Sequence, residues 1–145
     1  MPFNQFSDLS EVDQLTHDEI IDMWCQELEQ HPERQGYGRL DLRGFRCCLG
    51  ELSYIGSLFG VCKRKTPTDR EIPVTYDKEV HYPPRSIVNW AKLTDFAGSF
   101  KGKSDDLGRS PGEKRDTVSS LNDRGATWPE LAKLIRSKPK GLFTI

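Results

Sequence analysis

The hydrophobic pattern is densest over residues 44–54, where bulky apolar side chains and two adjacent cysteines are bracketed by glycines. This pattern predicts a strand over residues 45–49 that enters the core, followed by a short helix over 52–59. Gly50 would mark the change of direction, because glycine tolerates positive φ and a close approach of backbone. We expect the rest of the chain to be organised around this cysteine-bearing strand.

The residues on either side of Gly44 predict a β-hairpin. One strand would cover residues 37–42, the turn would lie near Arg43 and Gly44, and the second strand would be 45–49. An edge strand is expected over residues 72–76, since proline is tolerated at a sheet edge. These segments predict a small antiparallel sheet.

The first convincing helix covers residues 18–28, in which apolar residues recur at helical spacing. Thr16 is a suitable N-cap, and Glu19 three residues later completes the pattern of a capping box. Trp24 lies on the apolar stripe, so we expect it to be a core anchor rather than a ligand-stacking residue. The predicted stripe consists of Ile20, Ile21, Trp24 and Leu28.

The C-terminal third predicts an αα-hairpin, with helices over residues 116–122 and 128–136 joined by a tight turn at 124–127. Another short helix is expected over 84–93, with proline in its first turn and Ile87, Trp90 and Ala91 facing the core. The inward face of the αα-hairpin would be formed by Val118, Leu121, Leu131, Leu134 and Ile135.

The remaining segments lack apolar periodicity. Residues 1–16 are interpreted as a loose leader, and residues 95–115, rich in glycine, serine, lysine and aspartate, as a long flexible loop. The predicted fold is a single α+β domain over residues 1–145, with a small antiparallel sheet, helices packed on one face and a C-terminal αα-hairpin.

Composition excludes several function classes. The chain has 145 residues, of which 21 are basic and 22 acidic, so its net charge of -1 argues against a protein that coats nucleic acid through overall charge. The first residues lack the pattern of a signal peptide, and the apolar runs are too short to span a bilayer. We therefore expect a soluble, intracellular protein with no membrane partner.

The four cysteines, Cys25, Cys47, Cys48 and Cys62, are predicted to be buried thiols rather than disulfides or metal ligands. Adjacent cysteines on a strand point to opposite faces, and no Cys-x-x-Cys pair is present. No metal or other cofactor is expected.

Three separated segments carry a family resemblance. The first has Trp24, a glutamine-glycine turn and then Cys47-Cys48-Leu49-Gly50; the second lies within residues 84–93; the third begins with Leu121-Asn122-Asp123-Arg124-Gly125. In this order they resemble a family of small, uncharacterised bacteriophage and prophage proteins. The resemblance implies phage origin and action in the cytoplasm of the bacterial host, and it implies no reaction. At Glu51 the chain departs from the family, which more often has an aliphatic residue there.

The sequence leaves two other functions open, cysteine catalysis and DNA binding. Cys47 or Cys48 could act as a thiolate with His81, but buried structural cysteines are commoner, so catalysis is the lesser expectation. Residues 121–132 resemble the opening of a helix-turn-helix, yet no recognition helix is predicted after them. A DNA-binding regulator is therefore a secondary alternative.

The favoured interpretation is a non-catalytic binding protein. It would capture a phosphate-bearing small ligand, such as a nucleotide signal used in antiviral defence, because arginine forks suit phosphates and aromatic rings can stack on bases. Direct inhibition of a host defence protein is the alternative, and a homo-oligomer is expected to suit either role. The candidate ligand-binding residues are Arg39, Arg43, Arg46, Tyr37, Trp90, Arg109 and Arg115.

Overall fold

The computed structural model describes residues 15–101 and 116–144. Five helices, two pairs of short strands and one 3₁₀ turn (Pro32–Arg34) make up the regular structure of these residues. The helices are α1 (His17–Gln30), α2 (Cys48–Leu58), α3 (Arg85–Trp90), α4 (Val118–Asp123) and α5 (Trp128–Arg136). The strands are β1 (Arg64–Lys65), β2 (Thr75–Tyr76), β3 (Ser99–Phe100) and β4 (Asp116–Thr117).

Helix α1 forms as the sequence predicts. The Thr16 hydroxyl accepts a hydrogen bond from the Glu19 N–H at 3.1 Å, and the Glu19 carboxylate accepts one from the Thr16 N–H at 3.0 Å. This capping box satisfies two N–H groups that a helix end leaves unpaired. The predicted apolar stripe is buried, and the Trp24 indole donates to the Cys48 carbonyl at 2.8 Å, so Trp24 is the core anchor expected.

The predicted αα-hairpin is confirmed by α4 and α5, which a turn ending at Thr127 connects. A second capping box, between Thr127 and Glu130, begins α5. Helix α5 packs along α1, and Arg136 ties the two together through Asp22 at 2.8 Å and Glu29 at 2.9 Å.

The predicted strand over residues 45–49 is wrong, because α2 already begins at Cys48. Cys47 is the N-cap, and its sulfur accepts a hydrogen bond from the Gly50 N–H at 3.3 Å. A Cβ on Gly50 would lie 1.8 Å from the Leu40 carbonyl oxygen, so the glycine permits α2 to touch the preceding segment. The cysteines therefore start a buried helix rather than crossing a sheet.

Of the predicted hairpin, only the turn is present. Arg43 and Gly44 both have positive φ, 56° and 84°, and Leu42 and Phe45 exchange two backbone hydrogen bonds at 2.9 and 3.0 Å. Phe45, which follows the turn, is 53% exposed. The turn residues fix this local geometry, but no continuous ladder extends from it.

The sheet is divided into two antiparallel pairs, β1 with β2 and β3 with β4. Strand β2 lies inside the predicted edge strand, whereas β1 lies in the basic run at residues 62–65, for which no strand is predicted from the sequence. Strand β3 falls at the start of the predicted 95–115 loop, most of which, like most of the leader, lies outside the described residues. The α+β class is confirmed.

The core lies between α1, α2 and the C-terminal helices, and its largest fully buried side chains include Trp24, Trp128, Tyr76 and Phe100. All four cysteines are free and buried, as predicted. Within residues 15–101 and 116–144, no helix is long and apolar enough to cross a membrane.

Candidate functional site

The predicted ligand-binding residues lie in different environments. Arg39, Arg43 and Tyr37 are exposed, and Trp90 is half-buried beside Phe59, with ring centroids 6.1 Å apart. Arg109 and Arg115 lie outside the described residues. Arg46 is the exception among the described arginines of this set, because it is buried in a polar cluster.

Arg46 is held by two buried carboxylates. Its Nε donates to Asp41 Oδ2 and its Nη1 to Glu51 Oε1, each at 2.9 Å, and its guanidinium lies 3.8 Å from the centre of the Tyr54 ring. Burial alone would lower the pKa of Arg46, but the charges of Glu51 and Asp41 outweigh burial and raise it. Arg46 is therefore a fixed cation whose donors are directed at protein groups.

Asp41 connects the buried Arg46 cluster to the surface of the protein. Its Oδ2 also accepts a hydrogen bond from the Tyr76 hydroxyl at 2.6 Å and lies 3.4 Å from the Arg64 guanidinium. Arg64 in turn donates to Tyr76 at 3.2 Å and to Thr66 at 3.2 Å, and about a third of its side chain is exposed. Asp41 thus orients an arginine that reaches solvent.

Two carboxylate oxygens in the cluster lack a partner among the described residues. Asp41 Oδ1 and Glu51 Oε2 are buried and accept no hydrogen bond there. Burial raises the pKa of the Glu51 carboxyl, while the charge of Arg46 opposes that rise. A buried acceptor without a donor is costly, so Asp41 Oδ1 marks a place where a donor would be favourable.

Asp41 and Arg64 line a surface depression of about 310 Å³ that also contains Arg43 and Arg70; we call it the arginine groove. Asp69 contributes a second carboxylate to its wall. Arg43 forms an exposed ion pair with Glu71 beside the groove, and Arg70 is exposed. Three arginines therefore line one depression, and the charge of Asp41 is already paired with Arg46 and Arg64.

A larger depression of about 750 Å³ lies beside α3; we call it the acidic groove. Its walls carry the carboxylates of Asp77, Glu79 and Asp95 and the half-exposed rings of Tyr82 and Phe96. The Arg85 guanidinium lies 5.4 Å from the centre of the Phe96 ring. Three carboxylates against one guanidinium make this surface unsuited to a phosphate.

A third cavity, of about 120 Å³, brings Cys47 together with His81 and Asp123. The sequence raised Cys47 and His81 as a catalytic pair, and the structure places both on this cavity. However, burial raises the pKa of the Cys47 thiol to about 11, and the charge of Asp123 raises it too. The thiol is protonated at neutral pH, the opposite of what nucleophilic cysteines require.

Several residues that line these surfaces were not predicted from the sequence as functional residues. Neither Arg64 nor Arg70 is among the ligand-binding residues predicted from the sequence. Asp41 carries no signal of its own in the sequence, whereas Glu51, an acidic residue in an otherwise apolar stretch, indicates a buried counter-charge. Arg46, five residues before it, supplies that charge.

Among residues 15–101 and 116–144, no group of three or more histidine, cysteine, aspartate or glutamate side chains is placed to hold a metal ion. Comparisons with models of protein families, with curated proteins and with solved structures found no match to this chain. The grooves and the residues that line them are therefore the features of this chain that bear on its function.

Proposed function

We propose that the chain is a non-catalytic binding protein that captures a phosphate-bearing small ligand in the arginine groove. The observation that carries this proposal is the convergence of Arg43, Arg64 and Arg70 on one space of about 310 Å³. Arginine presents a planar fork of donors that matches phosphate oxygens, and several forks around one space favour a multiply charged group.

The three arginines would contribute differently. Arg64 is held in place by Tyr76, Thr66 and Asp41, so little side-chain entropy is lost when it binds a ligand. Arg43 would exchange its exposed partner Glu71 for the phosphate, and such exposed pairs contribute little to stability. Arg70 is exposed and would complete the clamp.

The carboxylate of Asp41 narrows the ligand class. Asp41 lines the same groove, and its buried Oδ1 has no hydrogen-bond donor among the described residues, so a ligand that reached it would have to supply one. A nucleotide carries such donors, as amino groups of the base or hydroxyls of the sugar, together with its phosphate. The groove volume is at the lower end of ligand pockets, which suits a mononucleotide-sized ligand.

The biological role is part of the same proposal. The order of the Cys47-Cys48-Leu49-Gly50 and Leu121-Asn122-Asp123-Arg124-Gly125 segments resembles phage proteins, and this supports a phage-encoded protein acting in the bacterial host cytoplasm. Capture of a nucleotide defence signal there would interfere with antiviral immunity without requiring a reaction. The DNA-binding alternative has less support, because α5 turns Trp128, Leu131 and Ile135 into the core and Arg136 pairs with acids of α1.

Calorimetric titration tests the proposal with inorganic phosphate, a nucleoside monophosphate, a nucleoside diphosphate and a cyclic dinucleotide as probes. We expect at least one nucleotide to bind, and Arg43→Gln and Arg70→Gln each to weaken binding at least fivefold. Arg39→Gln is the matched control, since it removes the same charge from an exposed arginine that does not line the groove. No binding by any probe, or equal weakening by Arg39→Gln, would overturn the proposal.

A further inference from the structure

We propose that the acidic groove is a docking site for a basic segment of a partner polypeptide, which seats an arginine or lysine side chain against Tyr82 and Phe96. This proposal is independent of the anionic ligand, because it concerns different residues and the opposite charge.

The negative charge of the acidic groove favours the binding of a cation. Asp77, Glu79 and Asp95 line the space, and Arg85 is the one basic residue among the described residues that line it. Asp77 is fixed by hydrogen bonds from the Lys63 N–H at 2.8 Å and the Ser86 hydroxyl at 3.0 Å, so it presents a stationary charge.

Asp95 is also ionised at neutral pH. Burial alone would raise its pKa, but hydrogen bonds from Ser99 and from the Ala97 N–H lower it. The Ser99 N–H lies 3.0 Å and the Ala97 N–H 3.1 Å from Asp95 Oδ1. Fixed carboxylates around a low-polarity surface attract a cation more strongly than mobile surface acids do.

The aromatic rings supply the complementary surface. Tyr82 is 48% and Phe96 38% exposed, and both line the same groove. Arg85 already lies over the Phe96 ring, which shows that this ring accepts a guanidinium at cation–π distance. The basic side chain of the partner would lie on the Tyr82 side of the groove, where the carboxylate of Glu79 would offset its charge.

The size and shape of the groove favour a polypeptide over a free amine. A volume of about 750 Å³ exceeds what one side chain fills, and Pro83 and Pro84 give one wall a backbone with restricted φ. Aromatic-lined grooves bind extended peptides, proline-rich ones among them, and acidic residues beside the rings favour a basic side chain in the peptide. The groove would therefore hold several residues of an extended segment, with its basic side chain as the anchor.

Two synthetic nonapeptides of glycine and proline test this, one with a central arginine and one with citrulline, its neutral analogue. Titrations are followed by ¹H–¹⁵N NMR. We expect the arginine peptide to shift the signals of residues 77–86 and 95–97 and to bind at least fivefold more tightly than the citrulline peptide. Glu79→Gln and Phe96→Leu should each weaken binding at least threefold.

Glu33→Gln is the control, because it removes an exposed carboxylate from outside the groove. Equal affinity for both peptides, or a Glu33→Gln effect as large as that of Glu79→Gln, would overturn the proposal. If arginine amide alone bound as tightly as the nonapeptide, the groove would bind a small cation, and the proposal of a polypeptide partner would be wrong. Nucleotide titration of the same variants separates this site from the arginine groove, whose affinity should not change.

Discussion

Replacing Arg46 by methionine tests the buried cluster on which Asp41 and Arg64 depend. The change keeps a long side chain but removes two charged hydrogen bonds of 2.9 Å and the contact with the Tyr54 ring. Asp41 would keep its bonds from Tyr76 and Arg64, whereas Glu51 would keep no donor among the described residues. Removing one partner of a buried pair costs about 3–5 kcal/mol, so we expect a loss of that size.

The loss should depend on pH. Without Arg46 only the weaker effect of the Arg34 charge opposes the burial that raises the pKa of Glu51, so the folded variant holds this proton more tightly than the unfolded chain does. A folded pKa above the unfolded value gives stability that is present below the unfolded pKa and is lost as pH rises through the folded pKa. The variant should therefore lose more stability relative to the parent at pH 7 than at pH 5.

Urea unfolding followed by tryptophan fluorescence measures both effects, since Trp24 and Trp128 are fully buried. Arg43→Met is the matched control, and its exposed pair with Glu71 should change stability by at most about 1 kcal/mol. Adding Glu51→Gln to Arg46→Met should recover part of the loss, because the unpaired charge is gone. A loss below about 1 kcal/mol at pH 7, or one that is independent of pH, would refute the reasoning.

Three further predictions concern the core. Asn122→Ala should destabilise the protein by about 2–4 kcal/mol in urea unfolding, because Asn122 bonds the Cys48 N–H, the Trp128 indole and the Gly36 carbonyl; a loss under about 1 kcal/mol would contradict its bridging role. Gly50→Ala should lower the melting temperature markedly or prevent folding, since the new Cβ would overlap the Leu40 carbonyl; an unchanged melting temperature would rule that contact out. The four thiols should resist an alkylating reagent at pH 8 until urea unfolds the chain, because burial raises their pKa values; rapid native labelling would reopen the cysteine-enzyme alternative.

Local signals in the sequence predicted the helices well. The stripe and capping box of α1, the turn before α5 and the short helix α3 depend on spacing and cap residues within a few positions. The strand over residues 45–49 failed because a short apolar run fits a strand and a buried helix equally well by periodicity. Cysteine is not among the residues preferred as N-caps, so the sequence did not indicate that α2 begins after Cys47.

The candidate site depends on distant residues, and the sequence predicted less of it. Arg43 was identified, but Arg64 and Arg70 join it only because β1 pairs with β2 and brings Arg64 to Asp41. Arg46 lies near Arg43 in sequence, yet its partners Asp41 and Glu51 turn it inward. Arg46 is consequently unsuitable as a probe of binding, since its substitution perturbs the fold itself.

Native mass spectrometry of the protein purified from cells, compared with the denatured protein, tests the central claim most directly. The account predicts a retained mass matching a phosphate-bearing small molecule, present in the parent and in Arg39→Gln and lost in the double variant Arg43→Gln, Arg70→Gln. A bare polypeptide mass that stays unchanged when nucleotides are added, or a ligand that the double variant retains, would contradict it.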